Sequence, residues 1–393
     1  MRAVRRIAAC AVWAALSMLC LGLSLFHAQR VCLMEKVELG SLEPEGVFPE
    51  TAQGIQKDLK EEQDAQGVCF FREQKKQWIK NEDLNRMAQG TLTVLCGSSS
   101  LLFPESLALA EDDTEGCLLG EELSYELFGT KNAEGRKVTH GDRELVVRGI
   151  LKEASGGFAV QSEAEARSET DRPFLGLAVY KTEGQGGLSE LASQYGLPDQ
   201  PIAIGLYVTA AKLGACALGA IILICLLTQA GGAIRMGRRR PAFLLAMIVF
   251  VLALAVAAVY LTPVSFSIEK EGLPNQWSDF SWYTRRCEQI QGEWLELIQI
   301  EKGNVLLYPL LHCVKGAGFG AAAAVFFVFL RRTLGTVDAG RMAFHGSLLL
   351  LLAGCGAALF LAWKGVYTEG FARSCLFYLL WIWGDYALQV VMR

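Results

Sequence analysis

Long uninterrupted apolar runs alternate with polar stretches along this chain. A bilayer hydrocarbon core about 30 Å thick needs about 20 apolar residues in a helix that rises about 1.5 Å per residue. Six runs meet that length: Ile7–Phe26, Ile202–Ala230, Pro241–Leu261, Val305–Leu330, Phe344–Trp363 and Phe371–Val391. Each is too long and too apolar for the core helix of a globular protein. The last carries Arg373 and Asp385 within it. Arg2, Arg5 and Arg6 precede the first run, as in a secretory signal. Its apolar stretch exceeds the roughly 7–15 residues of a signal core, and Phe26-His27-Ala28 is a poor cleavage site, so the run reads as an uncleaved anchor.

Between the first and second runs the pattern changes to that of a soluble domain. The stretch 50–66 predicts a helix, with Lys57, Asp58, Lys60, Glu61 and Glu62 on a solvated face. Val68–Phe71 predicts a short strand, and Gly90–Leu95 a buried strand that runs into a small-residue turn. Glu121–Phe128 predicts a short helix stopped by Gly129. His140-Gly141-Asp142 is turn chemistry between strands Arg136–Thr139 and Glu144–Leu151. Phe174–Tyr180 predicts another strand. Helices and strands mixed at this length predict a compact α+β domain.

Composition agrees with a membrane class: 52% of the 393 residues are hydrophobic, only 20% are charged, and the mean hydropathy is +0.29. Charge sets an orientation. Arg2, Arg5 and Arg6, then Arg235, Arg238, Arg239 and Arg240, then Arg331, Arg332 and Arg341, and finally Arg393 all fall on one side of six spans. The alternate segments are acidic: 31 acidic against 18 basic residues in 28–201, and seven against four in 264–304. Both termini are therefore expected in the cytoplasm of a cell-membrane protein. The expected division is 1–27 as N-terminal tip and first span, 28–201 as extracytoplasmic domain, and 202–263 as spans two and three. A second outer loop, 264–304, and spans four to six, 305–393, complete it. An acidic outer domain argues against nucleic acid as a partner; the lipid bilayer is the expected one.

The chain offers little catalytic chemistry. It has no GxxxxGK[ST] phosphate loop and no HExxH pair, and Gly97-Ser98-Ser99-Ser100 does not complete a nucleophile elbow. Gly316-Ala317-Gly318-Phe319-Gly320 lies in an apolar run and follows no strand, so it reads as close helix packing rather than a dinucleotide fingerprint. No metal spacing and no cofactor site is expected. Cys32, Cys69, Cys96, Cys117 and Cys287 fall outside the spans; a Cys96–Cys117 bridge and unpaired thiols are both open. Charges inside spans are costly and tend to serve function, which singles out Lys212, Lys315 and Asp385. Lys212 is expected to snorkel to the outer surface, and Lys315 and Asp385 are either a buried pair or make separate contacts. The loop with Arg235, Arg238, Arg239 and Arg240 is either a topology signal alone or a docking surface.

The run Gly116–Lys152, GCLLGEELSYELFGTKNAEGRKVTHGDRELVVRGILK, resembles the extracytoplasmic core domain of MacB-like ABC transporter permeases, within the wider FtsX-like group. The resemblance rests on Leu127-Phe128-Gly129 ending a helix, Gly135-Arg136-Lys137-Val138 opening a hairpin, and Val146-Val147-Arg148-Gly149-Ile150 closing it. It places the core domain at about 28–204 and extends over residues 1 to about 260. It implies a permease-like subunit, dimeric with itself or a related permease, that relies on a separate ABC ATPase. That ATPase would dock at the Arg235–Arg240 loop, and its motion would pass along the first two spans, with Leu188–Tyr195 as the connecting segment. Five spans after the outer domain, where that family has three, depart from the pattern. A standalone assembly or signalling protein that uses the domain for protein interaction is the alternative reading, and an enzyme acting at the membrane is a third.

Overall fold

The computed structural model describes residues 2–61, 67–165, 171–181, 187–237, 241–262, 279–334 and 339–392. The chain divides into two units. A helical unit holds Met1–Val31, Tyr207–Leu273 and His312–Arg393, and a sheet domain holds Cys32–Leu206 and Pro274–Leu311.

In the sheet domain, nine strands are β1 Val37–Ser41, β2 Val68–Asn81, β3 Arg86–Gly97, β4 Gly116–Gly120, β5 Lys137–His140, β6 Arg143–Leu151, β7 Gly157–Gln161, β8 Gly176–Tyr180 and β9 Pro201–Ile202. They lie in the order β3-β7-β4-β6-β5-β2-β8-β1-β9, and β2 also pairs with β3. Six strands therefore close on themselves, with the single pair Lys80↔Thr139 joining β5 to β2. The first half of β2 carries β8, β1 and β9 on outward. The pairs β3–β7 and β4–β6 are parallel and the others antiparallel. Val68–Phe71 is thus the start of a 14-residue strand, not a short one.

The period-2 geometry of these strands builds two cores. Phe70, Val94, Cys117, Leu119, Phe158, Val160, Leu177 and Val179 face the first. Their neighbours Cys69, Leu95, Leu118, Ala159 and Ala178 face the second. Burial on both faces explains why these strands read as continuous apolar runs. The first core is covered by three helices: α2 Pro49–Glu61, α3 Glu121–Phe128 and α4 Gly187–Tyr195. Ala52, Ile55 and Leu59 form one stripe of α2, and Leu123 and Leu127 the inner face of α3. Gly129 ends α3 in the left-handed conformation (φ 71°), its N–H bonded to the Tyr125 carbonyl at 2.8 Å.

The second core is closed by residues far apart in sequence: Met34, Ile204, Val305, Leu306 and Tyr308. The first follows α1 (Arg2–Cys32), the second precedes α5 (Gly205–Gly237), and the last three open α8 (Asn304–Leu334). The stretch 264–304 is more than a loop, since Phe280–Gln299 forms a 20-residue helix, α7, capped by the Asp279 carboxylate on the Ser281 and Trp282 N–H groups. Cys96 and Cys117 are unbridged. Strand β7 stands between their strands, which sets them about 10 Å apart, beyond disulfide reach.

The helical unit contains nearly all of α1 and α5, α6 (Pro241–Leu261), α8 from His312 onward, α9 (Ala339–Trp363) and α10 (Phe371–Met392). Five of these are long and apolar enough to cross a membrane, with candidate spans Arg5–Cys32, Gly205–Arg235, Phe243–Leu261, Asn304–Leu334 and Ala343–Trp363. The sixth expected span, α10, is not among them. It holds Arg373, Asp385 and several Trp and Tyr residues, and it buries Tyr378, Trp381 and Ile382. Phe377 lies at Gly219 and Leu226 at Gly384, so α10 runs parallel to α5. Ile382 lies at Gly346 and Cys375 at Gly354, so it runs antiparallel to α9.

Candidate functional site

The residues carrying the sequence resemblance are architectural. Leu127, Val138 and Val147 are buried in the first core, and the Arg136 guanidinium stacks over Phe128 at 5.2 Å. Gly135 turns at φ 77° and donates its N–H to the Val147 carbonyl at 2.8 Å. At Gly149 a Cβ would meet the Leu107 Cβ at 2.9 Å. They shape a hairpin and its support, and none presents a reactive group.

One polar site of the sheet domain is built at the start of α8. The Glu73 carboxylate, on β2, accepts the Val305 N–H at 3.0 Å. Asn304 donates its side-chain amide to the Thr91 carbonyl at 3.2 Å and to Thr93 Oγ1 at 3.3 Å, both on β3. Tyr308 donates its hydroxyl to Glu105, and Lys75 pairs with Glu301. A Cβ on Gly303 would overlap the Glu73 carboxylate. The first N–H groups of a helix lack partners within it and attract negative charge, so Glu73 sits where a carboxylate is favoured. Burial nonetheless pushes its pKa up, against the bonds from Val305 and Asn304. Burying Val305 and Leu306 supplies about 1.5–3 kcal/mol each. Asn304 before an apolar run is a readable helix start; Glu73 had no local signal.

Small residues and short polar side chains bring the helices of the helical unit together. Ser17 donates to the Ala323 carbonyl at 2.7 Å and is hydrogen-bonded to the Tyr378 hydroxyl. Ser24 donates to the Gly316 carbonyl at 2.8 Å. A Cβ on Gly320 would lie 2.1 Å from the Gly214 carbonyl, and one on Gly214 would lie 2.7 Å from the Ala317 Cα. The Gly316–Gly320 run thus packs α8 against α1 and α5, the use that small residues have between membrane helices. His27 and His312 face each other, Nδ1 to Nδ1 at 3.0 Å, and Phe319 stacks on His27.

The three charges picked out from the sequence are not brought together. Lys212 is 5% exposed and shares the packed face of α5 with Val208, Ala211 and Ala215. Lys315 is on the exposed side of α8. Asp385 is buried and accepts from Gln389 at 2.6 Å. Arg235 is exposed at the end of α5, whereas Arg238, Arg239 and Arg240 lie outside the described residues. Among the described residues no group of three His, Cys, Asp or Glu side chains could hold a metal ion.

No protein-family model matches the chain, and no curated protein does. Two solved structures similar to it are extracytoplasmic parts of transporters. One is the periplasmic region of MacB from Actinobacillus actinomycetemcomitans, 12% identical, with a TM-score of 0.31 over 41% of this chain and 84% of that one. The other is the extracellular domain of the noncanonic ABC-type transporter YknZ from Gram-positive bacteria. It is 14% identical, with a TM-score of 0.31 over 42% of this chain and 97% of that one.

Proposed function

We propose that this chain is the membrane subunit of a MacB/FtsX-like ABC system. It works as a dimer of permease subunits and with a separate ATPase. It crosses the cell membrane six times, α10 included, with both termini in the cytoplasm and the sheet domain outside. It performs no catalysis itself and passes ATP-driven motion to the sheet domain, for export or for work on a partner.

The observation that carries this reading is the make-up of the second core. Met34, Ile204, Val305, Leu306 and Tyr308 lie at the ends of three candidate spans, and all close one face of the sheet. Close-packed interiors transmit displacement because they deform little. The chain runs on from these core residues into α1, α5 and α8, so motion of those helices would reach the sheet through the chain itself. The sequence resemblance in Gly116–Lys152 supports the same family.

The test is purification of the tagged protein in mild detergent with mass spectrometry of its partners. A stoichiometric ABC ATPase whose retention falls on charge reversal at Arg235 and Arg238–Arg240 is the expected result. A folded, oligomeric preparation without any ATPase overturns it, and favours a standalone assembly or signalling protein.

A further inference from the structure

Most large apolar residues of helix α7 form one stripe, with Trp282 and Leu295 outside it. At 100° per residue, Phe280, Tyr283, Cys287, Ile290, Trp294, Leu297 and Ile298 fall within a sector about 100° wide, while Arg285, Gln289, Glu293 and Glu296 take the opposite side. Leu297 is buried, but Phe280 is 79% and Ile298 64% exposed, and Cys287 is exposed as well. Only four residues, 300–303, separate α7 from α8.

Chain length places the end of α7 near the head-groups. Arg331 and Arg332 mark one end of the apolar part of α8. About 20 residues back from Leu330 fill the hydrocarbon core, which reaches Leu311. Residues 304–310 then rise about 10 Å above it at 1.5 Å per residue, within the polar layer. At its other end α7 is tethered to α6 through residues 262–279. The aromatic content of the stripe, Phe280, Tyr283 and Trp294, is that of residues that settle at a membrane–water boundary.

We propose that α7 is an in-plane interfacial helix whose stripe rests on the outer leaflet of the bilayer. The partner is a lipid surface, bound through apolar and aromatic contact rather than charge, because α7 carries two arginines against three glutamates. The inference rests on the membrane-spanning reading alone and does not require an ATPase.

The test uses the full chain in zwitterionic phosphatidylcholine nanodiscs, in a Cys355→Ser background, with a bimane label on Cys287. In Cys287→Ser versions the label is moved to Ile298→Cys, Gln289→Cys or Glu296→Cys, and to Leu352→Cys on α9 as a span control. An interfacial stripe sits about 5–10 Å into the head-group and acyl boundary, so labels at 287 and 298 should lose roughly half their emission when the acyl chains are brominated. Labels at 289 and 296 should lose little, and added salt should change none of this. Equal, weak quenching on both faces, with strong quenching at 352, overturns the proposal. So does disulfide cross-linking of Ile298→Cys between copies, which makes the stripe a protein contact. Absence of quenching at 352 overturns instead the membrane reading on which the proposal rests.

Discussion

The carboxylate of Glu73 accepts the backbone N–H of Val305 at 3.0 Å, so a strand side chain caps a helix through a residue 232 positions further along the chain. Replacing Glu73 with Ala removes the acceptor and leaves the Val305 N–H without it, at a cost of about 1–2 kcal/mol. Replacing it with Gln keeps an acceptor and removes a buried charge, so the loss should be small. Hydrogen–deuterium exchange of the segment 300–308 should rise sharply in Glu73→Ala and little in Glu73→Gln.

The same carboxylate gives the sheet domain a pH dependence. Burial raises the pKa of Glu73, and likewise that of Glu153 beside Ser106 and the Glu105 N–H. A raised folded pKa favours the folded state below the unfolded value, and the advantage is lost as pH rises through the folded one. Exchange of the segment 300–308 should therefore slow as pH is lowered from neutral through the raised values, after correction for the intrinsic rate. The gain should shrink in Glu73→Gln. Asp113, whose pKa is lowered by its bond to Arg148, works in the opposite sense at lower pH, where its stabilising contribution is lost.

Two glycines two residues apart in α8 should respond oppositely to alanine. At Gly320 the new Cβ meets the Gly214 carbonyl, whereas at Gly318 it meets open space. Gly320→Ala should cost about 1–3 kcal/mol through overpacking. Gly318→Ala should be neutral or gain up to about 1 kcal/mol in helix propensity. Thermal unfolding of the two variants in one detergent checks the sign of each.

Ser17 joins α1 to α8 and to Tyr378 of α10. Interhelical hydrogen bonds of this kind in membrane proteins are worth about 0.6 kcal/mol and at most about 2. Ser17→Ala and Tyr378→Phe should each fall in that range. The double variant should cost less than their sum, because they share one bond. Denaturation in mixed micelles measures it.

Thiol reagents should separate the cysteines by burial. Cys287, outside the candidate spans, is exposed and should react in the folded, detergent-solubilised protein. Burial pushes the thiol of Cys96 up to about 11 and that of Cys117 up to about 12, and raises that of Cys69 as well. Because the thiolate is the reactive form, these three should stay unmodified until the sheet domain unfolds. Mass mapping after a short alkylation pulse, with and without denaturant, tests this.

Local chemistry in the sequence accounts for several of these elements. Gly129 stops α3, and Gly141 turns the β5–β6 hairpin at φ 58°. The extent of β2 was not legible, because Arg72-Glu73-Gln74-Lys75-Lys76-Gln77 breaks the apolar alternation that marks a strand and includes an irregularity in the pairing with β3. Strands β4 and β7 are only five residues each, too short for a period to declare itself. Helix α7 has a helical period, but its polar flanks give the whole stretch 264–304 the character of a loop. The Glu73–Val305 contact and the His27–His312 pair had no sequence signature, since each joins distant segments through packing alone.

The second core also sets an order of events during synthesis. When the ribosome has made residue 206, every strand of the sheet exists, but Val305, Leu306 and Tyr308 do not. Roughly 100 further residues must follow, which takes about 5–20 s at about 5–20 residues per second. Through that interval the nascent domain waits with one apolar face unfinished while α5 and α6 are being made. Maturation of this domain is therefore timed by the later helices, and a chain halted after α6 leaves a natural mark for quality control to find.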